Sequence, residues 1–115
     1  MRTLEEASAV TAEARDILAE FKRIVHQRRP SATILLYGSV SRGTQTPESD
    51  YDLLVLTEQR LSNIEEGELK REIYDLELER EVILSTIFYS WEQWDSPISR
   101  GSPFYDEVQK DAIRL

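Results

Sequence analysis

Two apolar runs, held apart by a small-residue turn and a polar loop, dictate most of what this chain can fold into. Thr33-Ile-Leu-Leu-Tyr37 reads as a strand. Leu53-Leu-Val-Leu56 is apolar without alternation, as expected of a central strand buried on both faces. Gly38 to Arg42 should make a turn and the start of a short helix. Gly43 to Ser49 is polar, contains Pro47, and reads as a loop.

The second run opens on Asp50-Tyr51-Asp52, separated from Gly38-Ser39 by ten residues. A small-residue turn after a strand exposes backbone N–H groups that can hold phosphate. Aspartates at i and i+2 on a strand point to the same face. Two such carboxylates are costly together unless a cation neutralises them. Mg²⁺ prefers oxygen ligands and borrows phosphate oxygens. Asp50 and Asp52 can supply the protein oxygens. Ser39 can offer a hydroxyl and an N–H to a phosphate, and Gly38 lets the backbone approach closely. The combination points to nucleotide and Mg²⁺ chemistry.

This stretch resembles the signature of the nucleotidyltransferase superfamily that includes DNA polymerase beta. Its spacing is that of the smallest members, the minimal nucleotidyltransferases. The resemblance implies that Gly38 and Ser39 hold the triphosphate of ATP, and that Asp50 and Asp52 bind Mg²⁺ and carry catalysis. Arg42 is typical of the family and is assigned to the nucleotide site, although it could instead pair with a carboxylate such as Glu48. Ser49 either caps the strand entry or touches phosphate. Tyr51 points away from the aspartates and should pack.

With 115 residues and a net charge of −8, the chain reads as a single domain over residues 1–115, without room for a second substrate-binding domain. The absence of cysteine excludes disulfides and thiolate metal sites, and one histidine excludes a histidine-rich zinc site. The acidic balance argues against general nucleic-acid binding and suits a basic protein partner. The apolar runs are too short for a membrane span, and the charged N-terminal segment has no apolar signal core. A cytoplasmic location is the expectation.

Elsewhere the first thirty residues read as one helix. Thr3 and Glu6 form a candidate capping box, the apolar face runs from Val10 to Val25, and Arg28-Arg29-Pro30 ends it. A second capping box, Ser62 to Glu65, should open a helix carrying Leu69, Ile73 and Leu76. Val82 to Tyr89 reads as a third strand. Ser90 to Gln93 could cap a short helix in which Trp91 and Trp94 share a face. Pro97 to Pro103 reads as a loop, and Phe104 onward as a final helix. The expected fold class is α/β (α+β), with a mixed sheet and helices packed mainly on one face.

The superfamily often carries a third carboxylate on a later strand. Here that position falls on Ser85, with Glu81 and Glu79 as nearby acids. The resemblance implies transfer of AMP from ATP to a protein hydroxyl, by an antitoxin that modifies and neutralises a HEPN-type RNase toxin. The alternative is a partner-binding protein whose nucleotide site has decayed at Ser85. Transfer to a small molecule is disfavoured by the missing second domain.

Overall fold

The structure is a computed structural model that describes residues 1–44, 46 and 50–115. In chain order its elements are β1 (Arg2–Thr3), a 3₁₀ turn (Leu4–Glu6), α1 (Ala12–Arg28), β2 (Thr33–Tyr37), α2 (Ser39–Arg42) and β3 (Tyr51–Thr57). There follow α3 (Asn63–Arg80), β4 (Leu84–Ser90), α4 (Trp91–Trp94), α5 (Pro97–Arg100), α6 (Pro103–Asp111) and β5 (Ile113–Arg114). The sheet order is β1-β5-β2-β3-β4. β2 runs antiparallel to β3 and β5, whereas β3 and β4 are parallel and joined through α3. A parallel pair needs such a crossover.

β3 is covered on both faces, which is why its sequence does not alternate: Leu53, Leu54, Val55 and Leu56 are each 0% exposed. The two long helices share one face. Ile17, Phe21 and Val25 of α1 meet Ile34, Leu36, Leu53 and Val55 there, with Ile73 and Leu76 of α3. The opposite face presents Leu35, Tyr37, Leu54 and Leu56 to Trp94, Val108 and Ala112 of the short C-terminal segments. Trp94 is buried between the Tyr89, Phe104 and Tyr105 rings, but Trp91 remains 38% exposed, so the two tryptophans do not share the core.

The expected single N-terminal helix is broken. The Glu6 carboxylate accepts from the Thr3 N–H and hydroxyl, so that pair caps only the 3₁₀ turn. The long helix begins afresh at Thr11, whose side chain accepts from the Ala14 N–H. The Arg15 guanidinium explains the break, because it donates to the Leu4, Ala7 and Val10 carbonyls and so stabilises a non-helical path. At α3 the Ser62 hydroxyl caps the Glu65 N–H, while the Glu65 carboxylate receives two bonds from Arg29 at 2.7 and 2.6 Å. Arg28 likewise binds Glu68 and Glu72, and Arg80 binds Glu20, tying α1 to α3. The segment expected as a loop contains α5, opened by Ser96 and Pro97; Ser102 and Pro103 open α6 in the same way.

Candidate functional site

β2 and β3 bring the Gly-Ser turn and the Asp-x-Asp pair together. Tyr37, the last residue of β2, lies opposite Asp52 in the antiparallel register. The chain leaves β2 through Gly38 at φ +79°, a conformation that favours glycine, and turns into α2. A Cβ on Gly38 would collide with Asp52 Oδ2. The backbone turn and the carboxylate are therefore in direct approach. Ser39 begins α2 half-buried, and its carbonyl accepts from the Thr44 N–H at 3.0 Å. Ser41 is fully buried and its hydroxyl donates to the Gly38 carbonyl at 2.7 Å, holding the turn from behind.

Asp50 is exposed at the entrance to β3, and Asp52 is half-buried two residues on. Burial pushes the Asp52 carboxyl above its usual range, and the charges of Asp50 and Glu107 add to this, while Arg42 opposes it. Tyr37 is pushed up to about 12, first by burial and then by Asp52, Glu107 and Tyr89. Acidic groups thus crowd around a glycine turn. Two carboxylate ligands beside a backbone cradle that a Cβ would fill suit Mg²⁺ carried on a polyphosphate.

Arg42, at the end of α2, donates to Asp111 Oδ2 of α6 at 3.0 Å. The partner considered in the sequence, Glu48, lies outside the described residues, as does the candidate nucleotide-binding residue Ser49. Tyr51 is buried on the face away from the aspartates. Ser85 is exposed and sits beside Asp52 in the parallel register, so the position expected for a third carboxylate holds a hydroxyl. Glu81 is not on β4; it is the left-handed cap that ends α3, at φ +56°.

Sequence reasoning missed Glu107 and Asp111. Their signal was helical spacing: both follow Phe104 along one side of α6, and the Phe104 ring meets Tyr37 edge-on at 5.4 Å. A cleft lined by Thr57, Arg60, Tyr89 and Gln93 opens at the other end of β3 and β4, away from these acids.

Residues 18–110 match the family model for the nucleotidyltransferase domain. Over 44 residues the chain is 41% identical to a Methanocaldococcus jannaschii protein named "putative protein adenylyltransferase", a stretch equal to 38% of this chain. The chain spans 44% of the length of that curated relative. Among solved structures, a variant of the MntA-HpeT toxin–antitoxin superposes with a TM-score of 0.56 at 22% identity, covering 85% of this chain and 70% of that one. A toxin–antitoxin with AMP-PNP gives 0.52 at 22% identity, over 90% and 72%. A structure described as a "putative minimal nucleotidyltransferase" gives 0.54 at 24% identity, over 88% and 94%. At these identities the likeness is one of fold.

Proposed function

Since the chain belongs to the nucleotidyltransferase domain family, we propose that it transfers AMP from ATP to a hydroxyl of a partner protein, a HEPN-type toxin that it thereby neutralises. The observation that carries this reading is the contact between the Gly38 turn and the Asp52 carboxylate, with Asp50 beside it. The name of the Methanocaldococcus jannaschii relative and the toxin–antitoxin fold neighbours, one with AMP-PNP, support it.

In this reading Gly38 and Ser39 bind the triphosphate, and Arg42 contributes positive charge once a phosphate competes with Asp111. Ser49, the residue before Asp50 in the sequence, is assigned to phosphate binding. Asp50 and Asp52 would hold Mg²⁺, which when bound offsets the charge of the phosphates and the leaving pyrophosphate. The acceptor hydroxyl attacks the α-phosphorus, and the chain's part is to hold the triphosphate still and in line. Added AMP places a bulky anion on the toxin and would block its RNA access.

The test is incubation with α-labelled ATP, Mg²⁺ and the protein encoded by the adjacent gene. Label should move to that protein and disappear with Asp50→Asn or Asp52→Asn. Failure of the wild-type chain to label it refutes the proposal. The hydroxyl at Ser85 favours a second reading, in which contact alone neutralises the partner. Full neutralisation by Asp52→Asn would select that reading.

A further inference from the structure

β4 is the last strand on its side of the sheet, so one of its edges has no strand beyond it. The ladder tells which groups face that way. The Tyr51 N–H donates to the Ile83 carbonyl, which sets Tyr51 beside Leu84 in the parallel register. In such a ladder Ser85, Ile87 and Tyr89 turn their backbone groups toward β3, and Leu84, Thr86, Phe88 and Ser90 turn theirs outward. The outward N–H groups at the two ends are closed by side chains: Leu84 donates to Glu77 at 2.8 Å and Ser90 to Gln93 at 2.9 Å. The Thr86 hydroxyl covers the Leu84 carbonyl at 3.0 Å. Among the described residues nothing takes the N–H and C=O groups of Thr86 and Phe88. Edge strands are ordinarily guarded by charge, proline or a bulge. β4 has none of these: its 7 residues, Leu84 to Ser90, are uncharged and free of proline, and their register runs unbroken. Two copies of a chain of net charge −8 repel each other, and this strand adds nothing to that repulsion.

We infer that this edge binds a second copy of the chain, β4 pairing antiparallel with β4 about a twofold axis at Ile87, so that one sheet runs through both copies. The open groups select that register. Thr86 of each copy faces Phe88 of the other, and such a pair exchanges two N–H···O=C bonds. A shift of two residues sets Phe88 against Leu84, or Thr86 against Ser90, whose N–H groups Glu77 and Gln93 already hold. The side chains agree with the same axis. Ile87 meets Ile87, and the half-buried Phe88 and Tyr89 meet the smaller Thr86 and Ser85. One residue beyond the strand at each end, Ile83 of one copy comes opposite Trp91 of the other. These two are 56% and 38% exposed in the single chain, and a β-branched residue opposite an aromatic ring is a favoured cross-strand pair. One strand from each copy makes an interface below standard size, so the dimer is a weak one. The pairing rests on the strand edge alone and does not depend on the proposed chemistry.

The experiment uses the whole chain without nucleotide. Sedimentation velocity from about 1 to about 500 μM should show a dimer that forms with concentration, as for a weak interface. Hydrogen exchange of the Thr86 and Phe88 amides should slow over the same range. Thr86→Pro removes only an outward N–H, at a place where an edge strand tolerates proline; it should keep the circular dichroism of the fold and stay monomeric. The chain has no cysteine. Ile87→Cys therefore gives one thiol per copy, with the two Cα atoms about 4.5 Å apart at the axis, within disulfide reach, and should cross-link under mild oxidation. Ser85→Cys, whose copies lie about 13 Å apart along the strands, should not. Ile83→Glu should weaken the dimer about tenfold, and adding Trp91→Arg should restore it. Residues 83 and 91 lie at opposite ends of β4, so no contact within one chain explains that rescue. A monomer at every concentration overturns the inference. So does a dimer that Thr86→Pro leaves intact, or cross-linking of Ser85→Cys as fast as that of Ile87→Cys. Protection of Thr86 and Phe88 that appears only when the neighbouring-gene protein is added gives the edge to that protein and also overturns it. Should Thr86→Pro fail to fold, the two cysteine variants and the rescue pair still decide.

Discussion

Gly38 is held by two constraints at once, a positive φ and a carboxylate where its Cβ would stand. Gly38→Ala should cost about 1–3 kcal/mol of folding stability, the range for a strained backbone residue, and should displace Asp52. Chemical denaturation together with ATP binding checks this; wild-type values for both would refute the close approach. Tyr37 gives a second handle. Its hydroxyl titrates at about 12 in the fold, against about 10 in the unfolded chain. Between those values the unfolded state has released the proton and the folded state still holds it, so stability falls as pH rises through that window. Tyr37→Phe should remove the latest step from the phenolate absorbance titration, and an unchanged curve would contradict the burial described here. Gly38, Ser39, Asp50 and Asp52 were legible in the sequence because one turn and one strand start bring them together locally. Glu107 and Asp111 were not, because only the docking of α6 onto the sheet lets the charge of Glu107 act on Asp52 and brings Asp111 to Arg42.

At the scale of elements, strands with continuous apolar runs and helices opened by serine were the readable parts: β2, β3, α3 and α4 stand where their residues place them. The break after Glu6 was hidden, because Ala7 and Val10 continue the helical spacing and only the reach of Arg15 to three carbonyls shows why the helix stops. β1 and β5 have two residues each and exist only by pairing with one another and, through β5, with β2. No local pattern announces strands that short. α5 and α6 did carry a signal, since both open with serine followed by proline. The C-terminal segments hang on Trp94, which touches Tyr89, Phe104 and Tyr105. Trp94→Ala should cost about 3–5 kcal/mol and free α6, weakening the Arg42–Asp111 pair. Trp91→Ala, at a more exposed position, should cost less than about 1 kcal/mol. Denaturation of both variants, with hydrogen exchange read along α6, tests the contrast; equal losses would show that α6 does not depend on Trp94.

Across the whole molecule, charge decides how a nucleotide can approach. A chain of net charge −8 repels free ATP, and the mouth of its site adds an acidic excess of its own. The raised Asp52 carboxyl means that the folded state keeps this proton more firmly than the unfolded chain does. Stability from this group therefore falls as pH rises from the unfolded value through the raised one, and at neutral pH the ionised pair opposes the metal-free fold. Asp52→Asn should accordingly raise the melting temperature measured in chelator by a few degrees. A divalent ion reverses the balance by joining the acids to the triphosphate. ATP in chelator should leave the wild-type melting temperature unmoved. ATP with Mg²⁺ at a hundredfold excess over Kd should add about 2.7 kcal/mol, on the order of 10 °C for a chain of this size. Asp50→Asn and Asp52→Asn should abolish that gain while keeping the fold. A rise with ATP in chelator equal to that with Mg²⁺ would mean that the nucleotide is held by something other than a cation shared between Asp50 and Asp52.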